Sequence, residues 1–472
     1  MIINKATQLF VQMHRRDDVR QTALKYSNTC NEVDMPMALQ QIAGWQAACS
    51  KLPLWAAQPE IIYPIHLSME QCSSQVTAGY KVRVVKQWLE QHNDNRLPCH
   101  GRQHSSENGS KGNEETTMTD LTGGFGVDFT LLAPLFAHAT YVEQNSTLAA
   151  IVEHNLRVML PQDIQTVCTN GVDYLHNMPP ATMIFADPAR RDQQGGRTFA
   201  IDNCTPNVKE LKTLLMQKAQ MVMLKLSPML DWRKAVADMA PWVSQVHIVS
   251  VNSECKELLL VMEHRSNQPT AGAGQEGIKV VCHGEHVDAQ GRCTGTMEEV
   301  FELSVSHPQQ EATSLTASAQ GSLSVPEHPS MAQLQQGDLY LYEPDAAWMK
   351  AGLFELMEQR YTMSQLSPNS HLFISSTYQP TFPGRHFAIT RACTMGKELR
   401  QVLQGMTQAN ITVRNFPLSV ADLRKRLKLK EGGSTFLFAT TLCNQLKAVL
   451  LCKRLGNGYQ SHLPPTEPPT EC

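Results

Sequence analysis

The sequence predicts an α/β fold: a seven-stranded Rossmann-like sheet, preceded by a helical region and followed by small α+β domains. Three observations carry that prediction. A glycine-rich turn, Asp120-Leu-Thr-Gly-Gly-Phe-Gly-Val-Asp128, follows a short β-prone run and opens an apolar, helix-like run over 127–137. A second apolar strand then ends in an acid, within Tyr141-Val-Glu-Gln-Asn145. Beyond it, short apolar runs alternate with helical stretches as far as His264. Together these read as a βαβ nucleotide-binding unit and its continuation.

At 472 residues the chain is too long for one core and should hold two to four domains. Its net charge of -3 gives no global field toward nucleic acid or membrane, so any basic surface must be local. Thirteen cysteines lie scattered without Cys-x-x-Cys or Cys/His ligand spacing, which predicts reduced, largely buried thiols and no metal site. No stretch is apolar enough to cross a bilayer, and the first residues lack the apolar core of a signal peptide. The expectation is a soluble, cytoplasmic protein with no membrane partner.

In chain order, 1–91 reads as helical, with helices over 19–25, 37–51 and 69–91. Ala38, Ile42, Trp45 and Ala48 share one face of the second, and Leu52-Pro-Leu-Trp55 ends it. Ser68 is the expected N-cap of the third, with Gln71 at the capping-box position. Residues 92–117, rich in His, Asn, Ser, Gly, Lys and Glu, predict a flexible insertion. Over 118–265, strands are expected at 118–121, 140–142, 164–168, 183–186, 221–226, 246–251 and 257–262, with helices at 147–160, 208–218 and 231–239. The last two strands are joined at 252–255 with no room for a helix, so they should pair antiparallel at one edge. That closing pair is the pattern of class I methyltransferases rather than of dinucleotide dehydrogenases.

Residues 266–339 read as a β-rich linker, with strands at 278–282 and 300–305 and a mobile Ser/Gln/Pro-rich insertion over 308–333. A folded region opens at Leu339-Tyr-Leu-Tyr-Glu-Pro-Asp345 as strand then helix, with further strands at 372–375 and 386–389. A last unit has a helix at 396–404, a strand at 410–415, a basic helix at 420–429 and a strand at 434–441. The Pro/Thr-rich stretch 456–472 should be disordered.

Candidate binding residues gather at strand ends, where ligands of open α/β sheets sit. Gly123, Gly124 and Gly126 allow a tight turn, flanked by Thr122 and Asp128; Phe129 fills the third glycine position of the dinucleotide fingerprint, which counts against a pyrophosphate seat. An acid opening the loop, Asp120, suits a ligand carrying an ammonium group, which points to S-adenosylmethionine. Glu143 can accept from a ribose diol and Asp173 from an adenine amine. The fourth strand ends Ala186-Asp-Pro-Ala-Arg-Arg191, in which Asp187 can accept from a reacting amine or from the cofactor, and Pro188 fixes the turn. Arg190 and Arg191 can hold a phosphate or carboxylate, and Lys225 closes the rim within Lys225-Leu-Ser-Pro228. A polar run at a helix start offers Glu70, Gln71, Ser73, Ser74 and Thr77 to the ligand, with an ordinary capped helix as the bland alternative.

The set Glu70-Gln-Cys-Ser-Ser74, Asp120–Asp128, Ala186–Arg191, Tyr342-Glu-Pro-Asp345, Pro368-Asn-Ser-His-Leu372 and Asn415-Phe-Pro-Leu418 resembles a bacterial family of class I S-adenosylmethionine-dependent methyltransferases with a THUMP-like domain. The resemblance implies a ferredoxin-like domain over 340–384, a THUMP-like domain over 385–455, and an RNA substrate, tRNA or rRNA. Arg424-Lys-Arg-Leu-Lys-Leu-Lys430 puts five cations in seven residues, enough for several phosphate contacts. Phe416 and Phe436 are expected in the core rather than stacked on bases. The Asp-Pro-Ala-Arg turn lacks the aromatic residue that base-amine methyltransferases carry there, and neither Cys204 nor Cys255 has the local sequence of a covalent cysteine mechanism. The reading is direct methyl transfer to RNA, with Asp187, Pro188 and Arg190 at the reacting end. Its rivals are a non-catalytic RNA-binding protein that retains the fold, and a methyltransferase for a small molecule or protein.

Overall fold

A computed structural model describes residues 3–26, 32–93, 116–162, 164–190, 201–264, 277–305, 315–317 and 328–460. Most of the expected insertions over 92–117 and 308–333 and most of the tail lie outside the described residues. The chain forms two compact units. One comprises Met1–His247, Lys256–Gly274 and Val287–Cys293; the other comprises Ile248–Cys255, Gln275–His286 and Thr294–Cys472.

The seven expected strands are β1 Thr117–Asp120, β2 His138–Glu143, β3 Gln165–Cys168, β4 Ala181–Ala186, β5 Ala219–Leu226, β6 Val243–Val251 and β7 Glu254–Glu263, all in the first unit except the hairpin end Ile248–Cys255. Their order is 3-2-1-4-5-7-6 within a ten-stranded sheet that continues beyond β6, so the closing pair does not form the edge expected of it. β1 runs parallel to β2 and β4, β2 to β3 and β4 to β5, and β7 lies antiparallel to β5. β4 is buried at all six positions, as a central parallel strand covered on both faces must be. β6 and β7 are joined by Asn252 and Ser253, both at positive φ, a two-residue turn whose twist suits a hairpin.

The amino-terminal helices are part of this same unit. They are α1 Lys5–His14, α2 Val19–Lys25 and α3 Met35–Lys51, with a short turn of helix at Pro53–Ala56. Asp18 and Asp34 cap α2 and α3 by accepting from backbone N–H groups. Ala38, Ile42 and Ala48 are wholly buried, and Trp55 packs beyond the end of α3. Asn155, on α7 Ser146–Met159 against the sheet, accepts from Ile62 N and donates to Ile62 O, both at 2.9 Å.

The helix expected over 69–91 is two helices, α4 His66–Gln71 and α5 Gln75–Asn93. The chain is extended at Cys72, and Ser74, not Ser68, accepts from a backbone N–H (Thr77 N, 3.2 Å). Ser68 lies within α4, whose start has no side-chain cap. The remaining helices of the unit are α6 Val127–Leu132, α8 Gly171–Asn177, α9 Val208–Lys218 and α10 Trp232–Met239.

In the second unit the strands of the supposed linker are long, β8 Ile278–Val287 and β9 Cys293–Val305, with β10 Leu315–Ala317 antiparallel to β9. Part of the supposed insertion folds: Met331–Gln336 is a helix capped by Ser330 and Gln333 in a reciprocal capping box. A seven-stranded sheet follows, from β11 Tyr340–Pro344, β12 Ser364–Gln365, β13 Phe373–Ser375, β14 Gly384–Thr394, β15 Asn410–Val413, β16 Thr435–Thr441 and β17 Lys447–Asn457, in the order 12-13-11-14-17-16-15. The strand β17 has no counterpart among the expected elements. It sits mid-sheet, antiparallel to both β14 and β16. Ala448, Leu450 and Cys452 pack into one core cluster while Val449 and Leu451 pack into another, so both faces of the strand are covered. Phe416 and Phe436 pack against these clusters, as expected.

Asp345 anchors this unit. Its carboxylate is 1% exposed, accepts from the Ser250 hydroxyl, from Ser253 Oγ at 2.7 Å and from Tyr459 Oη at 3.0 Å, and caps the helix Ala346–Ala351 through Ala347 N. Replacing Asp345 by Ala removes the shared acceptor of three hydroxyls and leaves Ser250 only the longer bond to His283 O at 3.3 Å. Urea unfolding of the Asp345→Ala variant should show a loss of about 3 kcal/mol, and Asp345→Asn, which keeps one acceptor, should lose less.

Candidate active site

The carboxyl ends of β1, β2, β4 and β5 assemble a polar rim. Asp120 closes β1, in register with Tyr141 on β2 and Phe185 on β4. Glu143 therefore stands two residues beyond that line on one side and Asp187 two beyond on the other. The turn between β1 and α6 is stitched to both neighbours. Gly123 N donates to Val142 O at 2.8 Å, Gly124 N to Glu143 Oε2 at 2.9 Å, and Asp187 N to Thr122 Oγ1 at 2.6 Å.

The glycines serve different ends. A Cβ on Gly123 would lie 2.2 Å from the Tyr141 ring, so this glycine makes room for that side chain rather than for a ligand. Gly124, at φ +55, has only Thr122 O within 4 Å of a Cβ position, at 3.6 Å, and its outer side is open. Gly126, at φ +74, starts α6 and packs on Val152. Phe129, in the third glycine position, is fully buried and meets Tyr141 edge-on.

Asp120 is 1% exposed, and its Oδ1 accepts from Thr122 N at 2.9 Å. Burial pushes its carboxyl up to about 8; the Thr122 hydrogen bond opposes this, while Asp128, Asp187 and Glu143 add to it. Three carboxyl groups, Asp120, Glu143 and Asp187, thus share the rim, with that of Asp128 close enough to act on Asp120. Glu143 also accepts from Asn145 N at 2.7 Å, and each of its oxygens retains a free lone pair.

Asp128 departs from its expected place. It faces away from the loop into an ionic cluster with Ser73 Oγ at 2.7 Å and Lys81 Nζ at 2.9 Å. Lys81 has no exposed surface; its Nζ also lies 2.5 Å from Glu257 Oε2 and 3.1 Å from Ser73 Oγ. Burial opposes ionisation of Asp128, but Lys81, Lys225 and the Ser73 hydroxyl hold its carboxyl below the usual range. On the other flank Lys225 Nζ meets Asp187 Oδ2 at 2.5 Å, with side chains 11% and 37% exposed.

The sequence-predicted residues divide accordingly. Asp120, Thr122, Gly123, Gly124, Gly126, Glu143, Asp187 and Lys225 come together at the rim, and the buried Pro188 sits beside them. Asp173 is exposed in the first turn of α8; Gly171 at that helix start lies so close to Leu121 that a Cβ would come 2.1 Å from Leu121 O. Ser73 joins the cluster with Asp128, and Ser74 is a helix cap. Glu70 and Gln71 are exposed, and Glu70 faces His66 at 3.6 Å rather than the rim. The backbone of Arg190 pairs with Cys204, and Arg191 lies outside the described residues. Lys81 and Glu257 were not anticipated. The signals available were the i,i+4 spacing of Thr77 and Lys81 and a lone acid opening the apolar run Glu257-Leu-Leu-Leu-Val261. A separate cavity of 350 Å³, lined by Thr117, Thr182, Ala219 and His264 among others, lies at the opposite ends of the strands. Among the described residues no group of three or more His, Cys, Asp or Glu could hold a metal, and no helix is long and apolar enough to cross a membrane.

The chain as a whole has a counterpart of known structure. A candidate methyltransferase from Porphyromonas gingivalis W83 is 27% identical and superposes with a TM-score of 0.70, over 96% of this chain and 100% of that one. The sheet is that of a class I methyltransferase. Residues 340–383 match a ferredoxin-like domain and residues 384–454 a THUMP domain-like family, so the chain carries both at its carboxyl-terminal end. The two share the one seven-stranded sheet rather than forming separate sheets. Partial likenesses extend to a candidate class I S-adenosylmethionine-dependent methyltransferase from Listeria monocytogenes (11% identity, TM-score 0.30, 59% of this chain and 93% of that one). Another is to an rRNA methylase from Streptococcus thermophilus (12%, 0.25, 32% and 90%). No curated protein matches the chain.

Two substitutions probe the scaffold of the site. Gly123→Ala drives a methyl into the Tyr141 ring and should cost about 1–3 kcal/mol in urea unfolding. Lys81→Met leaves Asp128 and Glu257 buried without their cation and should cost about 3–5 kcal/mol.

Proposed function

We propose that the protein is an S-adenosylmethionine-dependent methyltransferase acting on RNA, tRNA or rRNA, in the cytoplasm. The observation that carries the cofactor is the buried Asp120 carboxyl, held high by burial and by Asp128, Asp187 and Glu143. No cation pairs with this group among the described residues, and the turn it opens carries the open side of Gly124. When bound, S-adenosylmethionine supplies a methyl group on a sulfonium. Asp120 would take its ammonium, Glu143 its ribose hydroxyls and Asp173 its adenine amine, with Gly124 allowing close approach.

On the acceptor side Asp187 holds the nucleophile, Pro188 sets the turn, and Arg190 and Arg191 take a phosphate. Lys225 fixes the orientation of the Asp187 carboxylate. The residues contribute proximity, alignment and an acceptor for the departing proton. The RNA reading is supported by the THUMP domain-like match and by the basic helix Val420–Leu427 with its continuation. There Lys425, Arg426, Lys428 and Lys430 are all exposed.

Calorimetric titration with S-adenosylmethionine tests the cofactor assignment. The wild-type chain should bind, and Asp120→Ala and Glu143→Ala should each lose binding; a folded wild type that does not bind excludes the enzyme. The raised Asp120 carboxyl adds a signature. At pH 7 it is mostly protonated, and an arriving cation lowers its pKa, so binding should release up to about one proton. Titrations in phosphate and in Tris should therefore differ in heat for the wild type and agree for Asp120→Asn.

A further inference from the structure

Lys81, Asp187, Lys225 and Glu257 come from four different elements: α5, the turn after β4, β5 and β7. They form two ion pairs, Lys81 with Glu257 and Lys225 with Asp187, each at 2.5 Å. The pairs act as one electrostatic group. Burial disfavours the Lys225 ammonium, but Asp187, Asp128 and Glu257 together raise its pKa and keep it charged. Burial raises the Asp187 carboxyl in spite of Lys225, with Asp128 and Glu257 adding to the rise.

A purely structural role accounts for Lys81, which has no exposed surface and joins three elements. It does not account for Lys225. That ammonium stands at the rim, against a carboxylate left 37% exposed where a substrate would arrive. If the site also receives a sulfonium, the two positive charges repel, and the repulsion needs a chemical reason.

We propose that Asp187 and Lys225 form the seat of a hydroxyl acceptor, the 2′-hydroxyl of an RNA ribose, and that Lys81 and Glu257 are positioning residues for that pair. The inference rests on the methyltransferase reading above and names the atom methylated. A neutral amine that attacks a methyl group gains positive charge, and a neighbouring ammonium opposes it. A hydroxyl that attacks loses its proton and gains negative charge, which the same ammonium stabilises.

The step balances. The hydroxyl oxygen forms the new O–C bond as the S–C bond breaks with its electron pair passing to sulfur. The hydroxyl proton passes to the Asp187 carboxylate, whose raised pKa suits it to accept. Lys225 keeps its protons and donates a hydrogen bond to the oxygen. The 2′-hydroxyl is the group that separates RNA from DNA, so this seat also explains how a rim without an aromatic stacking residue in its Asp-Pro-Ala turn would choose its substrate.

The test uses the full chain, tritiated-methyl S-adenosylmethionine and total RNA from cells lacking the gene. Methylation at the 2′-oxygen blocks alkaline cleavage of the next phosphodiester. Label should therefore appear in alkali-stable dinucleotides. Label in mononucleotides would mean base methylation and would overturn the inference while leaving the RNA methyltransferase reading standing. Absence of label from RNA overturns both.

Lys225→Met should reduce transfer at least about a hundredfold. Its calorimetric affinity for S-adenosylhomocysteine should stay within about threefold of wild type, since the cofactor residues are untouched. Lost affinity, or undiminished transfer, would remove Lys225 from the acceptor seat. Glu257→Gln keeps a partner for Ser73 and should lower kcat about tenfold without changing KM for S-adenosylmethionine. A change in KM alone would overturn its positioning role.

Discussion

The first unit depends on one buried cation. The Lys81 ammonium has no exposed surface, and removing such an ion from water costs several kcal/mol before any partner is counted. Asp128 on α6, Glu257 on β7 and the Ser73 hydroxyl meet that cost together. The consequence is geometric. Helix α5, the start of α6 and the antiparallel strand β7 are held at one point, and that point adjoins the carboxyl edge of the sheet. The break in the helix at 72–74 belongs to the same constraint, because it turns Ser73 toward both carboxylates.

Much of this sheet was legible in the sequence, because parallel strands covered on both faces read as uninterrupted apolar runs bounded by polar turns. Glu143, Asp187 and Lys225 were legible for the same reason: each is the first charged side chain after such a run. What stayed hidden is long-range. Residues 72–74 are as compatible with a helix as their neighbours, and only the distant Asp128 and Glu257 decide otherwise. Lys81 reads as one cation on a helix face until the fold supplies its acids. Asp128 shows the reverse error: adjacency to the loop suggested a ligand, whereas its carboxylate turns to an ammonium far away in sequence.

The second unit was less legible. Its small domains abut without a linker, and their strands lie side by side in one sheet, with β11 against β14, so one core cluster draws on both. The strand β17 was lost to its surroundings. Its apolar stretch is only Ala448 to Cys452, followed by Lys453, Arg454, Leu455 and Gly456, and then by a proline-rich stretch. Asp345 was visible as part of Tyr-Glu-Pro-Asp345, but the hydroxyls it gathers lie about 95 positions upstream and 114 downstream.

The position of β17 also bears on how the protein is made. It is the last strand of its sheet to emerge during synthesis, yet it separates β14 from β16. Until it arrives, the nascent sheet has two open edges, lined by Phe387, Leu437 and Phe438, and none of the backbone pairing that joins its halves. Unpaired apolar edges of this kind are templates for association between chains. The carboxyl-terminal unit therefore matures only after translation of its final strand, and a ribosome stalled before Lys447 would release a chaperone client rather than a shortened but working protein.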